Sequence, residues 1–167
     1  MAFGDPRQRV ERTRKGDFRV RLPKGERDLL RMLPSQLREL LTERPSDPSL
    51  ARLFPPAYED DPAQQAEYRR LTRDDLSDQR LEALRLMEET LEAERLTEEQ
   101  LAAWLGAVND LRLVLGTRLD VTEELYEEPI EQDDPRFPQL ALYSYLGFLE
   151  EQMVAALAAG MPEDGVD

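Results

Sequence analysis

Residues 97–121 read TEEQLAAWLGAVNDLRLVLGTRLDV, and this stretch decides the fold. Thr97 with Gln100 three positions on is a capping box, and Leu96 with Leu101 is the hydrophobic staple that accompanies one. From that start the spacing predicts a helix over 97–119. At about a hundred degrees per residue, Leu101, Trp104, Leu105, Val108, Leu111, Leu115 and Leu119 share one stripe. Arg112 falls inside the stripe, Asn109 lies at its edge, and Asp110 points the opposite way. An unpaired buried ion is costly, on the order of several kcal/mol. Arg112 is therefore expected to be buried and paired with a carboxylate or helix-end carbonyls. The alternative for Arg112 is a partner-binding or anion-binding role. The structural pair is preferred, because buried ion pairs are commonly structural.

Downstream, residues 120–136 read as an acidic loop containing Pro129 and Pro135. The last helix is expected over about Pro138 to Ala159. Leu142, Leu146, Leu149, Met153 and Leu157 line one face, while Leu140, Tyr143, Phe148 and Val154 lie outside it. A surface helix needs one apolar stripe, so this one is either central to a bundle or shared with a second subunit. The pattern leans toward a homodimer, with Tyr143, Phe148 and Val154 as interface candidates. Residues 161–167 are read as a disordered tail.

Upstream, residues 8–22 read as a β-hairpin. Phe18, Val20 and Leu22 alternate with Arg19 and Arg21, and Lys15-Gly16 supplies a turn. Residues 26–43 predict a helix with Leu29, Leu33, Leu37, Leu40 and Leu41 on one face. Pro34 interrupts it, so a kink or two abutting helices is expected. The proline-rich stretch 44–61 carries Leu50, Leu53, Phe54 and Tyr58, which predicts a loop or short helical turn pinned to the core. Asp61, Pro62 and Gln64 predict the start of a short helix. Thr72 predicts the cap of the next, running to about Glu94 with Leu76, Leu84, Met87 and Leu91 buried. The fold class is mainly α: a bundle of about five helices with a small N-terminal β-hairpin. Residues 1–23 form a basic segment packed on the acidic helical domain of 24–160.

The 167 residues contain no histidine and no cysteine. That excludes Ser-His and Cys-His nucleophile pairs, His/Cys zinc sites, disulfides and thiol switches. Net charge is −14, unevenly spread. Residues 1–31 hold ten Lys/Arg against five Asp/Glu, and residues 32–167 hold twelve against thirty-one. The acidic body repels nucleic acid and anionic membranes, which argues against direct nucleic-acid binding. No segment has the apolar length of a membrane span, and MAFGDPRQRVER has no apolar signal core. The expected location is the cytoplasm.

Acidic runs at Glu59-Asp60-Asp61, Asp74-Asp75 and Asp133-Asp134 lack the spacing and glycine of a calcium loop, and helix capping accounts for two of them. A Ser-Lys dyad would need Lys15 or Lys24, both in the basic head. Gly106 and Gly116 sit in a helical pattern, not in a phosphate loop. Arg12, Arg14, Lys15, Arg19 and Arg21 could present one charged hairpin face, with Arg19 and Arg21 as interface candidates. Phe18 lies on the other face, which is weak support for stacking on bases. No catalytic, cofactor-binding or metal-ligating residue is assigned, and no cofactor is expected.

Four blocks, LARLFPPAYEDD (50–61), EYRRLTRDDL (67–76), WLGAVNDLRLVLGTRLDV (104–121) and LYSYLGFLEEQMVAAL (142–157), carry a resemblance. In that order they resemble the actinobacterial family of AosR-like oxidative-stress regulators, over about residues 7–159. The resemblance implies contact with an alternative sigma factor and RNA polymerase under thiol control. Without a cysteine, the thiol switch does not carry over. The expectation is a non-enzymatic regulator in transcription or stress response that acts by protein–protein contact. The alternative is a small carboxylate-dependent or metal-dependent hydrolase.

Overall fold

The computed structural model describes residues 8–54, 62–122 and 131–160, with the side chains of 62–75 described only at Ala63 and Glu67. Strands β1 (Val10–Arg12), β2 (Phe18–Val20) and β3 (Arg95–Leu96) form an antiparallel sheet in the order β1-β2-β3. The helices are α1 (Lys24–Glu43), α2 (Pro62–Thr90), α3 (Glu98–Leu119) and α4 (Phe137–Ala158), with a 3-10 helix at Pro48–Leu53. No helix among the described residues is long and apolar enough to cross a membrane.

The capping box at Thr97 is complete. Gln100 N–H donates to Thr97 Oγ1 at 3.1 Å, and Thr97 N–H donates to Gln100 Oε1 at 2.9 Å. At the other end Asp120 adopts a left-handed conformation, φ 51°, and closes the helix on Gly116 and Thr117 carbonyls. Between those ends α3 packs on α1, α2, α4, β3 and the 3-10 helix. It is the central element of the bundle, so its apolar surface extends beyond the single predicted stripe. Ala107 and Val114 are buried although they lie off that stripe, while Leu105 and Leu115 on it are only half-buried.

The second predicted strand acquires a third neighbour. Phe18 pairs with Leu96 and Arg19 with Arg95. Gly16 has φ +88°, the conformation that the Lys15-Gly16 turn requires. Arg9 fastens the hairpin to two helices. Its backbone N–H donates to Gln152 Oε1 at 2.9 Å, its Nε donates to both Glu26 carboxylate oxygens at 3.1 Å, and its guanidinium lies 5.7 Å from the Phe148 ring centre.

Neither of the two breaks read from the sequence divides its helix in two. Residues 62–90 form one helix, not two, and Thr72 lies inside it. No glycine or proline occurs between Ala63 and Thr90, so the capping signal at Thr72 meets no stop signal before it. Lys24–Glu43 is likewise a single helix with Pro34 inside it. Leu30, Pro34, Leu37 and Leu41 are buried on one face, which holds the helix together across the missing N–H. Ser35 Oγ also donates to the Met32 carbonyl at 3.1 Å. The 3-10 helix confirms a pinned turn: Asp47 accepts from Ser49 N–H, and Leu50 and Leu53 are buried. Tyr58, the Asp61 cap and the tail 161–167 fall outside the described residues.

Trp104 is 0% exposed, and its indole Nε1–H donates to Thr90 Oγ1 at 2.7 Å. Thr90 in turn donates to the Leu86 carbonyl at 2.7 Å. This chain of two bonds ties α3 to the last turn of α2. Replacing Thr90 with Val keeps the shape and strands a buried N–H donor, which should destabilise the fold by about 1–3 kcal/mol. Urea denaturation of Thr90→Val measures it; a loss near zero would mean the indole finds another acceptor.

Candidate functional site

The helical packing leaves a trough. α1 and α4 both flank α3 without packing closely on each other. Its floor is Leu111, Val114 and Leu115 of α3. Leu33, Leu37 and Leu40 of α1 form one wall, and Leu142 and Leu146 of α4 form the other. The exposed residues Gln36, Arg118 and Gln139 complete the lining. The cavity volume is about 200 Å³. Pockets for drug-sized ligands run ~300–1,000 Å³, so this trough suits a few aliphatic side chains better than a free small molecule.

α1 is apolar on two sides. Leu30, Leu37 and Leu41 turn inward. Leu29, Leu33, Gln36 and Leu40, spaced four, three and four apart, form a second face along the trough. Leu29 and Met32 lie beyond the lining as an exposed apolar shoulder, with Met32 at 62% exposure. The sequence groups Leu29, Leu33, Leu37, Leu40 and Leu41 on one face. In the structure Leu30, Leu37 and Leu41 are buried, Leu33 and Leu40 are half-buried against that core, and Leu29 is exposed.

The core of the bundle encloses Asp110, which the helical wheel points away from the apolar stripe. Asp110 is 6% exposed, because α2 and the 3-10 helix cover the side of α3 expected to face solvent. Its Oδ2 lies 3.7 Å from Arg80 Nε. Arg80 also donates through Nη2 to the Leu53 carbonyl at 2.9 Å and lies 5.6 Å from the centre of the Phe54 ring. One guanidinium thus joins α2, α3 and the 3-10 helix. Burial pushes the Asp110 carboxyl up to about 6, against the pull of the Arg80 charge.

Arg112 is half-exposed, with 32% of its side chain open. It runs along α4 with its guanidinium 5.1 Å from the Tyr143 ring centre and beside Gly147, and its Nη1 donates to Glu150 Oε2 at 3.5 Å. A long stem at the margin of a helix–helix contact lets the charge reach both a carboxylate and the solvent edge. Tyr143 occupies the α3–α4 seam, where any Cβ at Gly116 would fall 3.0 Å from its ring. Phe148 is half-buried beneath Arg9. Of the three α4 interface candidates, Val154 alone is exposed, at 48%.

On the sheet, Arg19 stands opposite Glu11 on one side and Arg95 on the other. Arg21 is exposed and pairs with Glu11 at 3.5 Å. Arg12 does not join the predicted charged face: it lies over Phe18 at 5.1 Å and against Gly160. Lys15 and Lys24 are both exposed. Among the described residues no group of three or more Asp or Glu is placed to hold a metal ion. The run Glu59-Asp60-Asp61 and the side chains of Asp74 and Asp75 lie outside them. Asp134 accepts from Arg136 N–H at 2.8 Å and shapes the turn into α4.

A family described as a domain of unknown function (DUF2017) matches residues 7–157. The chain is 32% identical over 134 residues to a protein of Mycobacterium leprae (strain TN) named as a candidate oxidative stress regulator, AosR. That match covers 70% of this chain and 61% of the relative, so the chain spans about three fifths of the relative's length. No solved structure matches the chain.

The raised Asp110 carboxyl sets the sign of a pH effect. Its folded value of about 6 exceeds the ordinary 3.8, so Asp110 contributes stability at low pH and loses it as pH rises through about 6. Deleting the Arg80 charge raises the folded value further. Arg80→Met should therefore destabilise by about 3–5 kcal/mol near pH 8 and by clearly less near pH 5, where Asp110 holds a proton. Denaturant titrations at the two pH values check this, and equal losses would remove Asp110 from the explanation.

Proposed function

The chain belongs to the DUF2017 family, and from that premise we propose that it is a non-catalytic regulator that works by binding another protein. The observation that carries the reading is the leucine-lined trough between α1 and α4, with the apolar shoulder beside it. Its occupant is an amphipathic helix of the partner, with aliphatic anchors at helical spacing toward the trough. The helix's outer face is basic. Residues 32–167 carry twelve Lys/Arg against thirty-one Asp/Glu, and Glu39 and Glu43 are exposed on α1.

The name of the M. leprae relative supports a setting in stress regulation. The family resemblance points to a sigma factor or RNA polymerase as the protein that supplies the helix. A sigma factor's DNA-binding surface is basic, which fits an acidic receptor. Thiol control has no residue to act on in these 167 residues. The residues that support binding are Leu33 and Leu40 on α1 and Leu115 and Leu142 on the facing helices.

A fluorescent synthetic helix of Leu and Lys with the apolar period of 3.6 is the probe, with a Leu/Glu helix as its control. The Leu/Lys helix should bind and the Leu/Glu helix should not. Leu33→Glu and Leu142→Glu should each weaken binding by roughly tenfold or more, because each buries a charge in the apolar contact. Both variants make the protein more acidic, so a non-specific electrostatic attraction would strengthen instead. Circular dichroism confirms that each variant is folded. Unchanged or tighter binding by both variants would reject the trough as the site.

A further inference from the structure

The chain has five methionines and no cysteine, so thioethers are its only sulfur. The three within the described residues differ sharply in access. Met87 and Met153 are 0% exposed, packed under α3 and within α4's inner face. Met32 is 62% exposed, beside Leu29 at 38% on the outer side of α1. It precedes Gln36 by one helical turn, and Gln36 is in the trough lining. Met32 therefore sits where the apolar surface of the trough continues outward. Leaving a large unbranched thioether in water gives the free protein no packing benefit, whereas methionine is a favoured residue on adaptable binding surfaces.

We propose that Met32 is an oxidation site for hydroperoxides, and that its sulfoxide weakens docking of an apolar helix at the trough. The inference rests on the docking reading above. The step is a two-electron oxygen transfer. The Sδ lone pair attacks the distal peroxide oxygen and the O–O bond breaks. The new S–OH group passes its proton to the departing alkoxide, or hydroxide when the oxidant is hydrogen peroxide, leaving a sulfoxide and an alcohol or water. Sulfur is oxidised and the peroxide reduced, and no further reactant is needed. The product places a strong acceptor on an apolar contact surface, where an arriving aliphatic side chain cannot satisfy it. α1 itself need not change, since the Met32 side chain points away from the core formed by Leu30, Leu37 and Leu41.

The full chain is treated with dilute hydrogen peroxide, mapped by peptide mass spectrometry, and titrated with the Leu/Lys helix. Met32 should oxidise roughly tenfold or more faster than Met87 and Met153, as access governs the reaction. Affinity for the helix should fall about three- to tenfold as Met32 sulfoxide accumulates. Met32→Leu should hold its affinity through the same treatment, and untreated Met32→Gln should resemble the oxidised protein. The proposal is overturned if Met87 and Met153 keep pace with Met32. It is also overturned if complete oxidation at Met32 leaves affinity unchanged, or if Met32→Leu loses affinity as wild type does. If the reduced protein fails to bind the helix at all, the docking reading fails and this proposal fails with it. If binding is intact and only insensitive to oxidation, this proposal alone fails.

Discussion

Everything in this bundle depends on α3 being enclosed. A helix contacted by three other helices, a 3-10 turn and a strand has almost no face left for water, yet its middle carries Asp110. An ionised carboxylate there is tolerable only because Arg80 reaches it from α2. The same guanidinium caps the end of the 3-10 helix through the Leu53 carbonyl and covers Phe54. Electrostatic necessity at one residue thus specifies how three elements meet. Trp104 and Thr90 do the same with a neutral hydrogen bond one end further along. With α2 and the 3-10 helix committed to the back of α3, and α4 to its flank, α1 is left to lean on α2 and only brush α3. The trough is the consequence of that arrangement.

The proposed function rests on what the trough offers. Its lining is hydrocarbon, two amides and one arginine. Its volume of about 200 Å³ is below the range of drug-sized ligand pockets. In the proposed function, the acidic body favours a basic partner. Three arginines of the basic hairpin segment are engaged with their own protein, while Arg14 and Lys15 are exposed. Arg9 is spent on Glu26, Gln152 and Phe148, Arg12 on Phe18 and Gly160, and Arg21 on Glu11.

Local signals in the sequence were legible where one residue type satisfies one backbone need. The Thr97–Gln100 box, the Gly16 turn, the pinned turn around Leu50 and Leu53 and the limits of α3 and α4 are of that kind. Thr72 misled because a capping residue is also tolerated inside a helix that nothing interrupts. The strand at Arg95–Leu96 was hidden because Leu96 serves both as a staple and as the partner of Phe18. The site was less legible for a physical reason. A helical wheel tells which residues share a face, not how many faces the fold covers. It therefore pointed Asp110 away from the core, and it put Leu29, Leu33 and Leu40 on one face with Leu37 and Leu41. A trough exists between elements, and its only trace in the sequence was that α1 carries more leucine than one buried stripe needs.

The most direct test is methyl NMR of the protein with its leucines labelled, during titration with the Leu/Lys helix. The account predicts shifts concentrated at Leu33, Leu40, Leu115 and Leu142, with Leu84 and Leu101 in the core unmoved. Shifts that instead spread evenly over the surface, or that gather at the sheet around Leu22 and Leu96, would contradict it.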